Sequence, residues 1–598
     1  MEEPSEALRG LLSRAFLREG EDLGDAAYGD LLSELRWVHL RGKEVLFEQG
    51  AESESLFVIA SGRLRAVGPG PSGKHFSRDL VGGEIFGEMG VISGETRSMT
   101  VYAVRDSDLA ELPKAAVEGL MSRHPQLMKG ILHTVISRLR GPSTAHATPS
   151  CFALAVVPLG TQPTLAGFAE KLADAFAASG ATRLVDRSGA GERDGESLVS
   201  WLNALEEEYS FLVYAADPAD GEWTARCVRQ ADHVLLVADP QADPEPSPLE
   251  RETVWRDHGL TSALRSLVLV HSDPARRPSG TARWLDPRAL HRHYHLRPTH
   301  PGEFARLARS ISDRGVGLVL GGGGARGFAQ VGVIRALREC GVPIDFVGGT
   351  SMGAIVAAAC AMDWDAETMA DLGREAFVES KAFSEYTLPL LSLLRGNRLE
   401  RVTRKIFGDT QIEDLWIPQF SVSCNLTASS PVVHLRGPVW KAVRASGSLP
   451  GVLAPVLEDR QLLVDGGVLD NLPGDVMRSL SGGPLVVVDV TPEQDLRAPC
   501  DTVPSPWQML RQRLFAKSEP CMPGIVDILM RSTTLTSVRL ATEVKEDADL
   551  YLHPPVEAFG MLEFDAIDRI AAIGYDYTRG RIDECGGPDA ILARLGCG

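Results

Sequence analysis

The spacing of hydrophobic positions changes character several times along the chain. Leu8, Leu11, Leu12 and Phe16 fall at helical intervals, which predicts a helical lead-in over residues 1 to 36. From Trp37 the apolar residues come in short runs broken by glycine (VLFEQG, LFVIASGRLRAV, GGEIFGEMG, MTVYAV), the texture of a small β-roll. Pro113 then opens an apolar-periodic helix expected to reach about Leu139. Residues 141 to 150, GPSTAHATPS, have a linker's composition. In the next section FALAVVPLG, FLVYAAD, HVLLVADP and SLVLVHSD read as buried parallel strands, with LAGFAEKLADAFAASG and LVSWLNALEEE as helices between them. That alternation predicts a Rossmann-like layer. The last section opens with strand, glycine loop and helix (VGLVLGGGGARGFAQVGVIRAL) and continues as a further α/β unit. The expected fold class is multidomain α/β: a β-roll domain over 1–140, the linker 141–150, a Rossmann-like domain over 151–312 and an α/β domain over 313–598. No internal repeat of short period is visible.

A length of 598 residues exceeds what one hydrophobic core supports, in line with that division. The composition, 44% hydrophobic and 24% charged, is that of a globular protein. A formal charge of -19 argues against a nucleic-acid partner and against broad docking onto anionic membranes, leaving room only for a local basic patch. Nine scattered cysteines without close pairs read as reduced cytosolic thiols, and no metal site is expected. The start, MEEPSEALRG, carries no secretory signal. The longest strongly apolar stretch, about Met352 to Met362, falls well short of the ~20 residues of a spanning helix. A cytoplasmic protein is the expectation.

Three motifs in the last section carry chemistry. Gly349-Thr350-Ser351-Met352-Gly353 is a G-x-S-x-G pentapeptide between an apolar strand (Ile344 to Val347) and a helix-forming run, AIVAAACAM. Such a turn holds a serine at a helix N-terminus, where amides and dipole favour developing negative charge. Alone the motif is weak, and a plain turn is the alternative. Upstream, Gly321 to Gly324, Ala325, Arg326 and Gly327 also lie between strand and helix, and successive glycines expose backbone N–H groups as an anion cradle. A dinucleotide fingerprint is the alternative, but the acidic residue that site needs is replaced by Asp345, just before the elbow. An ATP loop would need a Gly-Lys-Ser/Thr that is absent. Third, Asp465-Gly466-Gly467 follows the apolar run QLLV; it is either an Asp-Gly turn or an aspartate aimed into a cleft.

In this order, GGGARG (322 to 327), GTSMG (349 to 353) and DGG (465 to 467) resemble the patatin-like phospholipase family, over about residues 316 to 580. RASGSLPGVLAPV is similar to that family too. The resemblance implies a Ser–Asp dyad without cofactor. Asp465 takes the Ser351 proton, Ser351 attacks an acyl ester, and amides of Gly322, Gly323, Gly324 and Met352 hold the oxyanion. Gly327, Gly349, Gly353, Gly466 and Gly467 support the motifs, and Arg326 fixes the loop or meets a lipid phosphate. A hydrolase triad would place a histidine after the aspartate. The only one there is His553, in LYLHPP, expected to be a packing or surface residue.

In the β-roll, Phe86-Gly87-Glu88-Met89 leads to Thr96-Arg97-Ser98. This resembles the phosphate-binding cassette of cyclic-nucleotide-binding domains, in which the glutamate binds ribose and the arginine the cyclic phosphate. The implied ligand residues are Gly87, Glu88, Arg97 and Ser98. Thr96 stands where proline is usual and Met99 where a small residue is common, so cAMP, cGMP or no nucleotide all stay open as the regulatory ligand. No helix-turn-helix follows, so a DNA reader is not expected. WTARCVRQADHVLLV, SLVLVH and ARWLDPRALHRHYHLRP resemble the region preceding the patatin domain in neuropathy target esterase-like lysophospholipases. PLGTQPTLAGFAEKLADAF, where a phosphate loop would lie, holds no loop lysine, and HRHYH reads as a polar surface run.

Two functions remain in play: a (lyso)phospholipid esterase under cyclic-nucleotide control, meeting membranes peripherally, and a non-catalytic cyclic-nucleotide sensor or scaffold. The stretch beginning FSEYTLPLLSLL, over residues 383 to 395, is either core packing or a lipid-facing lid; core packing is the expectation. Oligomeric state is not legible.

Overall fold

A computed structural model of the chain describes residues 6–17, 23–42, 44–69, 75–125, 127, 131, 151–191, 193, 195–255, 263–272, 277–492, 505, 507 and 535–597. The linker 141–150 and the end of the helix expected to reach Leu139 lie outside them. The chain divides into two compact units, residues 1–268 with 287–292, and 269–286 with 293–598.

In the first unit, helices Glu6–Phe16 and Asp25–Glu34 form the expected lead-in. Two four-stranded sheets with antiparallel pairings follow. The strand Ser55–Ser61 shows how period two builds this domain: Phe57 and Ile59 join Leu64, Leu80 and Val101 in one core, while Leu56 and Val58 join Leu12, Leu31, Val117 and Leu120 in another. Helix Lys114–Arg123 starts directly after Pro113, as expected.

A six-stranded sheet runs in the order Thr182–Val185, Phe211–Ala215, Phe152–Pro158, His233–Ala238, Leu264–Val270, Arg292–Leu296. The first four strands pair in parallel, the Rossmann-like layer. The last strand corrects one expectation: RHYHL is no surface run, for Tyr294, His295 and Leu296 are buried. His295 Nδ1 lies 2.9 Å from His271 Nε2, and its Nε2 lies 2.8 Å from Glu413 O. Burial drives its pKa well below the ordinary value, so the imidazole is neutral.

The second unit is built on an eight-stranded sheet: β1 (Gly317–Leu320), β2 (Phe346–Thr350), β3 (Gln419–Asn425), β4 (Ser430–His434), β5 (Val456–Glu458), β6 (Gln461–Asp465), β7 (Leu485–Val488) and β8 (Leu550–Leu552). The order is β5-β6-β3-β2-β1-β7-β8, with β4 also on β3. The centre, β3-β2-β1-β7, is parallel, and all four residues of β1 are buried, as a sheet covered on both faces requires. Three helices matter for the site: α1 (Ala329–Glu339), α2 (Met352–Ala361) and α3 (Asn397–Phe407). Nine of the ten α2 residues are buried, so it is a central helix rather than a surface one.

Candidate active site

Register alone brings the candidate nucleophile and base together. Thr350 at the end of β2 pairs with Val422 of β3, and Ser423, one step on, pairs with Asp465 at the end of β6. Ser351 is therefore level with Asp465, and its Oγ donates to Asp465 Oδ2 at 2.6 Å. Ser351 has φ 57°, a left-handed conformation that a side-chain-bearing residue adopts at a cost of about 1–3 kcal/mol. A Cβ on Gly349 or on Gly353 would collide with Leu320 O, so both glycines let β2 and α2 close on β1.

Asp465 is buried and held from the other side, where Gly467 N donates to its Oδ1 at 2.8 Å. Burial pushes its pKa up to about 6, against the lowering effect of the Ser351 and Gly467 hydrogen bonds. The glycine loop runs alongside: a Cβ on Gly322 would stand 3.0 Å from that of Ser351. Gly322 N–H donates to Asn471 Oδ1 at 3.2 Å. The N–H groups of Gly323, Gly324 and Met352 have no acceptor among the described residues. Arg326 donates from Nε to Phe559 O, a structural tie, and a Cβ on Gly327 would strike Met352. Asp345 is bound by Arg309 and by Val316 N. His553 engages Glu557, Tyr551 and Tyr577, and no contact joins it to Ser351 or Asp465 among the described residues.

Two residues carry the site without having been singled out. Ser446 Oγ accepts from Ser351 N at 2.8 Å and donates to Val422 O, holding the elbow against β3. Asn471 binds both Gly322 N and Gly322 O and reaches Thr491, pinning the glycine loop to the Asp465 loop. Their only signal was position, inside RASGSLP and six residues after the aspartate.

A cleft lies along α2. Met352, Val356 and Ala359, one face of α2, line it together with Phe377, Leu399 and Phe407. Its walls are almost wholly apolar, and the hydroxyl of Thr403 is already bonded to Leu399 O and Glu400 O.

In the β-roll, Gly87 (φ 78°) precedes helix Glu88–Ser93, Glu88 is buried and Ser98 exposed. Arg97 lies inward: Nη2 donates to Ser55 O at 2.8 Å, Nη1 to Gly87 O at 3.2 Å, and the guanidinium sits 4.1 Å over the Phe47 ring. Among the described residues no group of three or more His, Cys, Asp or Glu is placed to hold a metal. None of their helices is long and apolar enough to cross a membrane.

Known families match all three parts of the chain. Residues 318–477 match the patatin-like phospholipase family, 151–311 the neuropathy target esterase family P-loop like domain, and 37–124 the cyclic nucleotide-binding domain. The sheet carrying Ser351 and Asp465 is thus that of a patatin-like phospholipase domain. Ahead of it in the sequence lies the P-loop like domain of the neuropathy target esterase family, and the chain is similar to relatives of that group. Patatin-like phospholipase domain-containing protein 6 of Homo sapiens is 32% identical over 612 residues, covering 91% of this chain and 44% of its own. Lysophospholipase NTE1 of Mycosarcoma maydis is 32% identical over 635 residues, 91% of this chain and 33% of its own. The chain therefore spans less than half the length of these relatives. Among solved structures, the Thermus thermophilus catabolite activator protein is 27% identical, covering 20% of this chain and 56% of its own, with a TM-score of 0.19.

Proposed function

We propose that this chain hydrolyses acyl esters of lysophospholipids or phospholipids through a dyad of Ser351 and Asp465, without a cofactor. Asp465 Oδ2 accepts the Ser351 proton as Oγ attacks the ester carbonyl. The amides of Gly323, Gly324 and Met352 stabilise the oxyanion, Gly322 supplying the close approach while its own N–H is shared with Asn471. The proton passes to the departing alcohol; water then attacks the acyl-enzyme, giving a proton to Asp465 that moves on to Ser351 Oγ as the carboxylic acid leaves. The observation that carries this reading is the 2.6 Å bond from Ser351 Oγ to a buried carboxylate. The apolar cleft along α2 supports an acyl chain as the occupant. Names of the relatives, phospholipase and lysophospholipase, support the lipid class.

The catalytic domain in this proposal is 313–598, behind the 151–312 layer and a 1–140 sensor, in a cytoplasmic protein that meets membranes peripherally. Control by cAMP or cGMP requires Arg97 to exchange Ser55 O and Gly87 O for a cyclic phosphate, a stronger charge-assisted partner. Calorimetry with each nucleotide, on wild type and Arg97→Ala, tests that part; heat released equally by both refutes it. The enzymatic proposal is tested by purified protein acting on p-nitrophenyl esters and lysophosphatidylcholine. Wild type releases product and Ser351→Ala does not; equal rates favour the scaffold reading.

A further inference from the structure

The stretch beginning FSEYTLPLLSLL packs into the core only at its ends, through Phe383 and Leu394, while Tyr386, Leu388, Leu390 and Leu391 between them do not. Leu388, Leu390 and Leu391 are 79%, 92% and 69% exposed, and Tyr386 is 78% exposed. Their base is well ordered by contacts: Thr387 N donates to Leu393 O, Arg395 N to Glu385 O, and Leu393 and Leu394 N to Gly451 O and Val452 O. Leu394 is buried, and the ring of Phe383 stacks on Phe564 at 5.0 Å. The result is a short finger with an anchored stem and a leucine tip in water. A contiguous exposed apolar tip on an otherwise ordinary globular unit marks an interaction surface.

The charges around the stem say what covers it. Lys381, Arg395 and Arg401 are exposed and Arg398 half-buried, and none makes an ion pair with another described residue. Arg398 reaches Ser384 Oγ and its backbone N–H binds Glu385, the acid nearest the finger. Arg404 and Lys405, further along α3, are paired with Glu400 and Glu375. On a chain of net charge -19, four unpaired cations beside a leucine tip form a local exception. The inner face of α3, with Leu399, Ile406 and Phe407, lines the cleft along the candidate nucleophile's helix.

From this juxtaposition we propose that the finger and the adjoining face of α3 form a docking surface for an anionic lipid bilayer, the leucines entering the acyl region and the cations meeting headgroup phosphates. The surface rests on the lipid-hydrolase reading for its purpose: it sets the cleft against the layer from which an acyl chain would be drawn.

Flotation with vesicles of phosphatidylcholine, with and without phosphatidylglycerol, tests this on the Ser351→Ala protein, so that binding is read without turnover. The parent should float with anionic vesicles. The triple variant Leu388→Ser/Leu390→Ser/Leu391→Ser should lose at least about tenfold in partitioning to both vesicle types. Arg395→Gln with Arg401→Gln should lose about fivefold per residue on anionic vesicles only. In the chain with Ser351 intact, the leucine triple should hydrolyse a soluble short-chain ester at the parental rate, which also shows that it folds. A triple variant that floats like its parent overturns the proposal. So does a chain that hydrolyses the soluble ester but floats with neither vesicle, or a triple whose only change is loss of self-association. Flotation without any ester hydrolysis would instead sink the hydrolase reading and leave the surface standing.

Discussion

Replacing Asp465 by asparagine removes the charge of that side chain while keeping its shape, and the structure predicts opposite effects on rate and stability. An asparagine Oδ1 still accepts from Gly467 N, and an amide stands where Oδ2 accepts from Ser351. The carboxyl is 3% exposed, and burial raises its pKa to about 6. A folded-state pKa above the unfolded one means ionisation opposes folding: the penalty grows as pH rises from about 4 to about 6 and is complete above that. A displacement of that size is worth about 3 kcal/mol. Asp465→Asn should therefore resist denaturant better than wild type at neutral pH, the gain shrinking to nothing near pH ~4. Its rate should move the other way, because a general base contributes about 10²–10⁴-fold. We expect kcat/KM for a p-nitrophenyl ester to fall at least about 100-fold, roughly 3 kcal/mol in the barrier, with KM little changed. Denaturant unfolding at the two pH values and initial rates on the same preparations measure both. An Asp465→Asn protein as fast as wild type refutes the base assignment. One that is less stable than wild type at neutral pH refutes the claim that the buried charge is costly.

Three further outcomes are expected. Because the base must be ionised, kcat/KM should rise with pH through about 6 and then level; a flat profile there means that Asp465 is not the titrating group. His553→Ala should leave kcat/KM within about twofold, since His553 contacts Glu557 and Tyr551 rather than the dyad; a loss of about 10²-fold or more would revive a triad. Ala359→Phe puts a ring into the cleft two turns from Met352, so rates on long acyl chains should drop about tenfold or more with short-chain rates spared; an equal change on both would argue that the acyl chain lies elsewhere.

The fold was readable where one physical demand dominates a stretch of chain. Short apolar runs closed by glycine, such as LFVIASG, and longer ones such as HVLLVA mark buried strands, and the strands follow. The elbow was readable because its chemistry tolerates few residue types: glycine at 349 and 353, where Leu320 O leaves no room for a Cβ, and serine between them. Ser446 and Asn471 were not, because each works through a hydrogen bond to backbone 95 or 149 residues away. RHYHL looked polar for the same reason: His295 is satisfied by His271 and Glu413 O, partners brought by the fold. The leucines after Phe383 have a composition equally suited to core or surface, and only their exposure distinguishes the two.

Covalent trapping decides whether Ser351 is the nucleophile. After incubation with a fluorophosphonate, which reacts with an activated serine and mimics the tetrahedral intermediate, peptide mapping by mass spectrometry locates the adduct. We expect one phosphonyl group per chain, on Ser351, formed with parallel loss of esterase activity, and strongly slowed in Asp465→Asn. An unlabelled Ser351 in an active enzyme, or inactivation through a different residue, would contradict it.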